Sequence, residues 1–284
     1  MTPESFEYAS PTSLDEALSL LKTHGEDAKL LAGGHSLIPT MKLRLAEPEF
    51  VVDIGRISEL KGISESDGKL VIGALTTHHE LESSNLVQQK VPILAQTAAE
   101  IGDVQVRNKG TIGGSLAHAD PAADWPATIL ALDAEIKVVG PDGERLIQAT
   151  DFFQGLYETA LESEEILTEI RVPIPANNTK GTYLKLHQLA SGFALAGVAI
   201  VLTTSGDTCQ EIAVGITGVS DVAYRATGVE SELTGKALTT ENIAAAAEKV
   251  VDGVDALEDI HASQAYRENL AKVYTRRAIE QAAS

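Results

Sequence analysis

Apolar positions along the chain switch between two spacings. From Leu14 they recur at Ala17, Leu18 and Leu21, steps of three and four that share one helical face. Ser13 precedes this run with Glu16 three residues on, the signature of a capping box, and Gly25 supplies a C-cap. A short apolar run at Lys29–Leu31 predicts a strand, Leu37–Leu45 a short helix bounded by Pro48, and Glu49–Ile54 another strand. The pattern resumes with a strand at Lys69–Ile72 and a capping box at Thr77 and Glu80. Ile93, Leu94, Ala98 and Ile101 mark a helix, and Asp124 is expected to cap another at Pro126–Leu132. Glu135–Val139 and Glu144–Gln148 flank Pro141-Asp142-Gly143, a hairpin signal. Asp151 is expected to cap a short helix, and Glu165–Val172 reads as a strand.

Pro173-Ile174-Pro175-Ala176-Asn177-Asn178 interrupts any regular element and reads as a linker. Beyond it come three strands, Thr182–Leu189, Ala194–Thr203 and Cys209–Thr217, then helices at Ala223–Leu233, Thr240–Val251 and Ser263–Ala283. The fold class is α+β, divided at 1–55, 56–174 and 175–284.

Two small-residue loops stand out against this pattern. Leu30-Leu31-Ala32-Gly33-Gly34-His35-Ser36-Leu37 runs from a strand into a Gly-Gly pair followed by a hydroxyl. Gly110-Thr111-Ile112-Gly113-Gly114-Ser115 repeats the arrangement. Adjacent glycines allow positive φ and remove side chains that would hold a ligand away; successive N–H groups in such a turn can point at one anion. For either loop alone a tight turn is the favoured reading. The pair suggests two lips around one phosphate-bearing cofactor.

Composition narrows the classes. With 44% apolar residues in 284, a sizeable core is available and disorder is disfavoured. A net charge of -19 disfavours nucleic acid and anionic membrane surfaces. One cysteine, Cys209, excludes an intrachain disulfide and a cluster held by several thiolates of this chain. The opening Met1-Thr2-Pro3-Glu4 lacks signal-peptide character, and no apolar run reaches bilayer length, so a soluble, cytoplasmic protein is expected. No P-loop or G-x-G-x-x-G motif occurs; His78-His79 lacks zinc-ligand spacing and is read as solvated.

Ala32-Gly33-Gly34-His35-Ser36-Leu37 together with Arg107-Asn108-Lys109-Gly110-Thr111-Ile112-Gly113-Gly114-Ser115-Leu116-Ala117-His118-Ala119-Asp120-Pro121 closely resembles the FAD-binding medium subunits of molybdenum hydroxylases, the carbon monoxide dehydrogenase and xanthine dehydrogenase group. Phe6-Glu7-Tyr8 with Pro11, Glu165 to Pro173, Tyr183-Leu184-Lys185 and the Tyr266–Arg277 segment extend the resemblance over essentially the whole chain. It implies a two-subdomain FAD-binding fold of the PCMH or vanillyl-alcohol-oxidase-like type, followed by a small α+β C-terminal domain.

Carried over residue by residue, it places Leu30, Leu31, Ala32, Gly33, Gly34, His35, Ser36 and Leu37 at the FAD diphosphate and its neighbouring groups, and Thr111, Ile112, Gly113, Gly114 and Ser115 on the opposing lip. Asp124 falls near the sugar–phosphate, Leu167 and Ile101 at apolar contacts, and Lys185 at the cofactor. Phe193 falls near the isoalloxazine, with a plain core phenylalanine as the equal alternative. Ser115 stands where many members have Asn, His35 where many have Gln, and only His187 answers a basic residue that often follows the position of Lys185. The implied role is electron transfer: a large subunit with a molybdenum cofactor hydroxylates a substrate, and a small subunit with two [2Fe–2S] clusters passes electrons to this FAD. The assembly implied is a dimer of heterotrimers. No catalytic acid or base and no metal site is assigned to this chain. A self-contained FAD oxidase or dehydrogenase and a flavin-free assembly subunit are the alternatives.

Overall fold

The computed structural model describes residues 2–284. A first sheet joins β1 (Glu7–Ala9), β2 (Ala28–Leu31) and β3 (Phe50–Asp53) in the order β1-β3-β2, all parallel. Parallel neighbours need a crossover, and helices α1 (Leu14–His24) and α2 (Leu37–Lys42) provide it. The Ser13 hydroxyl caps α1 by accepting from Glu16 N–H. The expected capping box is only half formed, because the Glu16 carboxylate accepts from Thr12 N–H instead. Gly25 ends the helix at φ 55° and donates its N–H to the Leu21 carbonyl.

The second sheet has the order β4-β5-β10-β6-β7, antiparallel throughout. Its strands are β4 (Ile63–Ser66), β5 (Lys69–Gly73), β6 (Glu135–Gly140), β7 (Gly143–Gln148) and, after the small hairpin β8 (Phe153–Gly155) and β9 (Glu158–Thr159), β10 (Ile166–Pro173). The central strand is thus the last to be made. Between β5 and β6 run α3 (His78–Ser83), α4 (Asn85–Lys90), α5 (Pro92–Ala99), α6 (Val104–Arg107), α7 (Ile112–His118) and α8 (Asp124–Ala131). Thr77 and Glu80 close the predicted capping box on α3. The short α9 (Ala149–Phe152) starts after Gln148, so Asp151 lies inside it rather than capping it.

The third sheet, β11 (Thr179–His187), β12 (Ala194–Ser205), β13 (Thr208–Thr217) and β14 (Tyr224–Arg225), is an antiparallel meander. Its strands carry two sets of side chains, as a period of two requires. Val198, Ile200 and Leu202 pack on a core shared with α10 (Thr227–Leu233), α11 (Thr240–Ala247) and α12 (Gln264–Ala283). Ala199 and Val201 face the other way, into the principal core around Trp125 and Phe152. Gly215 lies under α8 so closely that an added Cβ would stand 1.9 Å from the Ala127 carbonyl oxygen. Helix α10 begins at Thr227, later than the apolar pattern predicts, because Tyr224 and Arg225 pair with the edge of β13. Among the described residues no helix is long and apolar enough to cross a membrane.

Candidate cofactor site

The first lip is the segment from the end of β2 to the start of α2. Gly34 takes φ 75°, in the left-handed region that favours glycine, and a Cβ there would stand 2.7 Å from Ile38 Cδ1. Gly33 is bare for a different reason: its Cβ would stand 2.1 Å from the Lys109 carbonyl oxygen and 2.8 Å from Gly110 Cα. The first lip therefore rests directly on the backbone that enters the second. His35 reaches the same neighbour, its Nε2 lying 3.4 Å from the Gln105 carbonyl.

Among the described residues, the backbone N–H groups of Gly33, Gly34, His35, Ser36 and Leu37 have no protein acceptor. The Ser36 hydroxyl, which makes no capping bond to α2, has none either. Backbone donors are ordinarily paired, so five in succession on a half-buried turn form a run of partial positive charge suited to an anion.

The second lip is built differently from the expected loop. Thr111 is the N-cap of α7, accepting from Gly114 N–H at 3.1 Å, so Gly113 and Gly114 lie in the first helical turn. Ile112 N–H donates to the Thr76 carbonyl, and Gly113 N–H to the Ala74 carbonyl. The N–H groups of Ile112, Gly113 and Gly114 are thus spent inside the protein, unlike those of the first lip. Gly113 presses on Ala74, whose Cβ is 2.6 Å from where a glycine Cβ would stand, and the corresponding position on Gly114 is 3.5 Å from Ala32 Cβ. The two lips thus meet at Gly33 against Gly110 and at Ala32 against Gly114. Ser115, in the same turn, is half-buried.

Asp124 is not the helix cap that the pattern predicts. Helix α8 starts at Asp124 with Ala123 as its cap, and the buried carboxylate turns to Lys185, Oδ1 to Nζ 2.8 Å, and to the Tyr183 hydroxyl, which donates at 2.6 Å. Tyr183 finds room because it lies over Gly197. Burial raises the Asp124 pKa, opposed by the Lys185 charge; burial and the Asp124 charge hold the Tyr183 phenol well above its ordinary range. Lys185 spends its other two N–H bonds on the carbonyls of Glu100, at 2.7 Å, and Gly192, at 2.8 Å. One ammonium thereby fixes the residue before Ile101, the residue before Phe193, and the start of α8.

Phe193 is 44% exposed, which removes the plain-core alternative. Leu167 is buried in the principal core beside a bulge in β10. It adjoins Thr168, whose carbonyl accepts from Ala74, the residue beneath Gly113. Ile101 is half-buried against that core.

His78 overturns the solvated reading. It is 4% exposed, and its Nδ1 accepts the Trp125 Nε1–H at 3.1 Å. Burial lowers its pKa to about 4, helped by the charges of His35 and Arg107. His79 is exposed beside Glu82. The sequence gives no hint of the His78–Trp125 or Tyr183–Asp124 bonds, which join residues far apart along the chain.

Two family models cover the chain: the FAD binding domain in molybdopterin dehydrogenase over residues 4–175, and the CO dehydrogenase flavoprotein C-terminal domain over residues 182–282. The carbon monoxide dehydrogenase medium chain of Hydrogenophaga pseudoflava is 45% identical over 282 residues, covering 99% of this chain and 98% of that one. A solved structure of the Hydrogenophaga pseudoflava enzyme matches with a TM-score of 0.97, covering 99% of this chain and 98% of its own. The glyceraldehyde dehydrogenase medium chain of Sulfolobus acidocaldarius is 38% identical over 283 residues, 100% of both chains.

Proposed function

The chain belongs to the FAD-binding medium subunits of the molybdenum hydroxylases, and from that premise we propose which of its residues hold the flavin and how it works in a complex. The observation that carries the assignment is the run of unspent N–H groups from Gly33 to Leu37, set on a turn that packs against the second lip without side chains between. The FAD diphosphate needs donors of that kind and a backbone approach free of Cβ atoms, so the residues fit the group.

In this reading Leu30 to Leu37 take the diphosphate, with Ser36 adding a hydroxyl donor, and Thr111 to Ser115 form the facing wall. Asp124 and Lys185 set the distance between the body of the site and the turn that carries Phe193. Ile101, Leu167 and Phe193 supply apolar surface around the cofactor. When bound, the flavin accepts electrons singly and releases them in pairs. The protein's own contribution is to bind the cofactor, fix its orientation and keep a rigid wall on one side.

The complex proposed is a large molybdenum-cofactor subunit, a small subunit with two [2Fe–2S] clusters and this chain, paired as a dimer of heterotrimers in the cytoplasm. The single, buried Cys209 supports this division of labour, because cluster thiolates must come from another chain. In such a complex the bound FAD would supply the redox chemistry that relays electrons from the clusters to an external acceptor.

The test is an absorption spectrum of the purified chain, then acid release of the chromophore and its mass. FAD at stoichiometric occupancy is expected. Gly114→Leu, which places a side chain between Thr111 Oγ1 and Ala32, is expected to lose the flavin while circular dichroism stays native. A variant that kept full occupancy would remove the second lip from the site. Turnover of an organic substrate by the isolated chain would favour a self-contained oxidase.

A further inference from the structure

His78 stands directly behind the second lip. Trp125, the single tryptophan, donates to its Nδ1, so that nitrogen is an acceptor and the neutral ring carries its proton on Nε2. The Nε2 edge abuts Gly110: a Cβ built there would stand 2.7 Å from Nε2 and 2.9 Å from Cδ2. Gly110 is also the residue against which Gly33 rests. His78 N–H donates to the Gly110 carbonyl at 3.0 Å, and Thr77 bridges Thr111, so backbone as well as ring is tied to the lip. Imidazole, Gly110 and Gly33 therefore form a stack with no space for a side chain at either step. The ring is held from behind by an indole in the first turn of α8, one residue from Asp124.

We propose that His78 is a positioning residue of the FAD site, whose imidazole edge, locked by Trp125, sets how closely Gly110 and the second lip approach Gly33. This rests on the flavin reading above. The ring acts through Gly110, and the quantity it controls is how closely the two lips meet where Gly33 rests on Gly110.

The experiment titrates FAD into the deflavinated full chain, followed by flavin absorbance, with circular dichroism and the emission of Trp125 reporting the fold. Wild type is expected to bind; if it does not, the flavin reading falls and this inference with it. Gly110→Ala, which drives a methyl into the imidazole, is expected to weaken binding roughly tenfold, equivalent to about 1.4 kcal/mol. Adding His78→Ala to Gly110→Ala is expected to recover most of that loss, a rescue that a general packing defect would not show. His78→Asn keeps an acceptor for Trp125 but withdraws the edge behind Gly110, so it should weaken FAD severalfold with indole emission unshifted. With wild type binding, the inference alone is overturned by a Gly110→Ala variant of undiminished affinity, by a double variant no tighter than the single, or by a His78→Asn variant that binds like wild type.

Discussion

A buried imidazole with a pKa near 4 makes the folded chain sensitive to acid at one residue. Above pH 6.5, the ordinary value, His78 is neutral whether the chain is folded or not, and it adds nothing to the pH dependence. As the pH falls below 6.5, the unfolded chain takes up a proton that the folded chain refuses until about pH 4. Stability attributable to His78 should therefore fall over that window by about 3 kcal/mol and then level off. Urea unfolding at a series of pH values checks this: His78→Asn should flatten the curve between pH 6.5 and 4, and an unchanged curve would show that another group governs the acid limb. Little of this was legible in the sequence. His78-His79 looks like a pair, but the capping box at Thr77 starts α3 at His78, so successive side chains are splayed about 100° apart, one ring in to Trp125 and the other out to Glu82. Period and spacing place residues along an element; they do not report a partner 47 positions away.

Helix α7 shows the same division at the scale of elements. The sequence marks its glycines as a loop, because Gly-Gly scores poorly for a helix. The structure makes them a first helical turn because Thr111 caps it and Ala74 and Thr76 accept its donors. Spacing alone marks Thr111 as a loop hydroxyl rather than a cap, and the acceptors come from the segment after β5, which no local pattern reports. Thr111→Ala should cost about 1 kcal/mol of stability in denaturant melts, and Thr111→Ser close to nothing. Equal losses in the two would mean that the methyl, not the hydroxyl, is what the position needs. The strands fare better. The hairpin of β6 and β7 and the long runs of β12 and β13 fall where alternation and turn residues put them. Asp124 and Asp151 were both given cap roles that fit their spacing, and both helices start earlier than expected, the first to bring its carboxylate to Lys185.

Across the whole molecule, Lys185 is a clasp that ties three separate segments together. It extends from the third sheet, and its three bonds end on the start of α8, on the residue after α5 and on the turn before Phe193. Its partner is buried, so removing the cation leaves a carboxylate with only Tyr183 to answer it. Lys185→Met should lose about 3–5 kcal/mol, the usual result of breaking a buried pair from one side. Lys185→Met with Asp124→Asn should regain part of it, which calorimetry of the two variants would show. A single variant as stable as wild type would mean the Asp124 carboxyl is already neutral in the folded chain. The broad architecture was legible here, since the family motifs run in order through the chain. The clasp was not, because it depends on three segments arriving together.

The unspent N–H groups of the first lip bear on how this site can be altered. A surface made of peptide bonds has no genetic address of its own: replacing His35, Ser36 or Leu37 by alanine changes what hangs from the chain and leaves its N–H groups in place. An alanine scan of residues 33–37 would pass over the donors proposed to hold the diphosphate, apart from the glycines and the Ser36 hydroxyl. Proline, or an amide-to-ester exchange installed by chemical synthesis, removes one donor at a time and would read the site out bond by bond. Drift in these side chains is therefore a poor guide to whether a related chain has kept its cofactor.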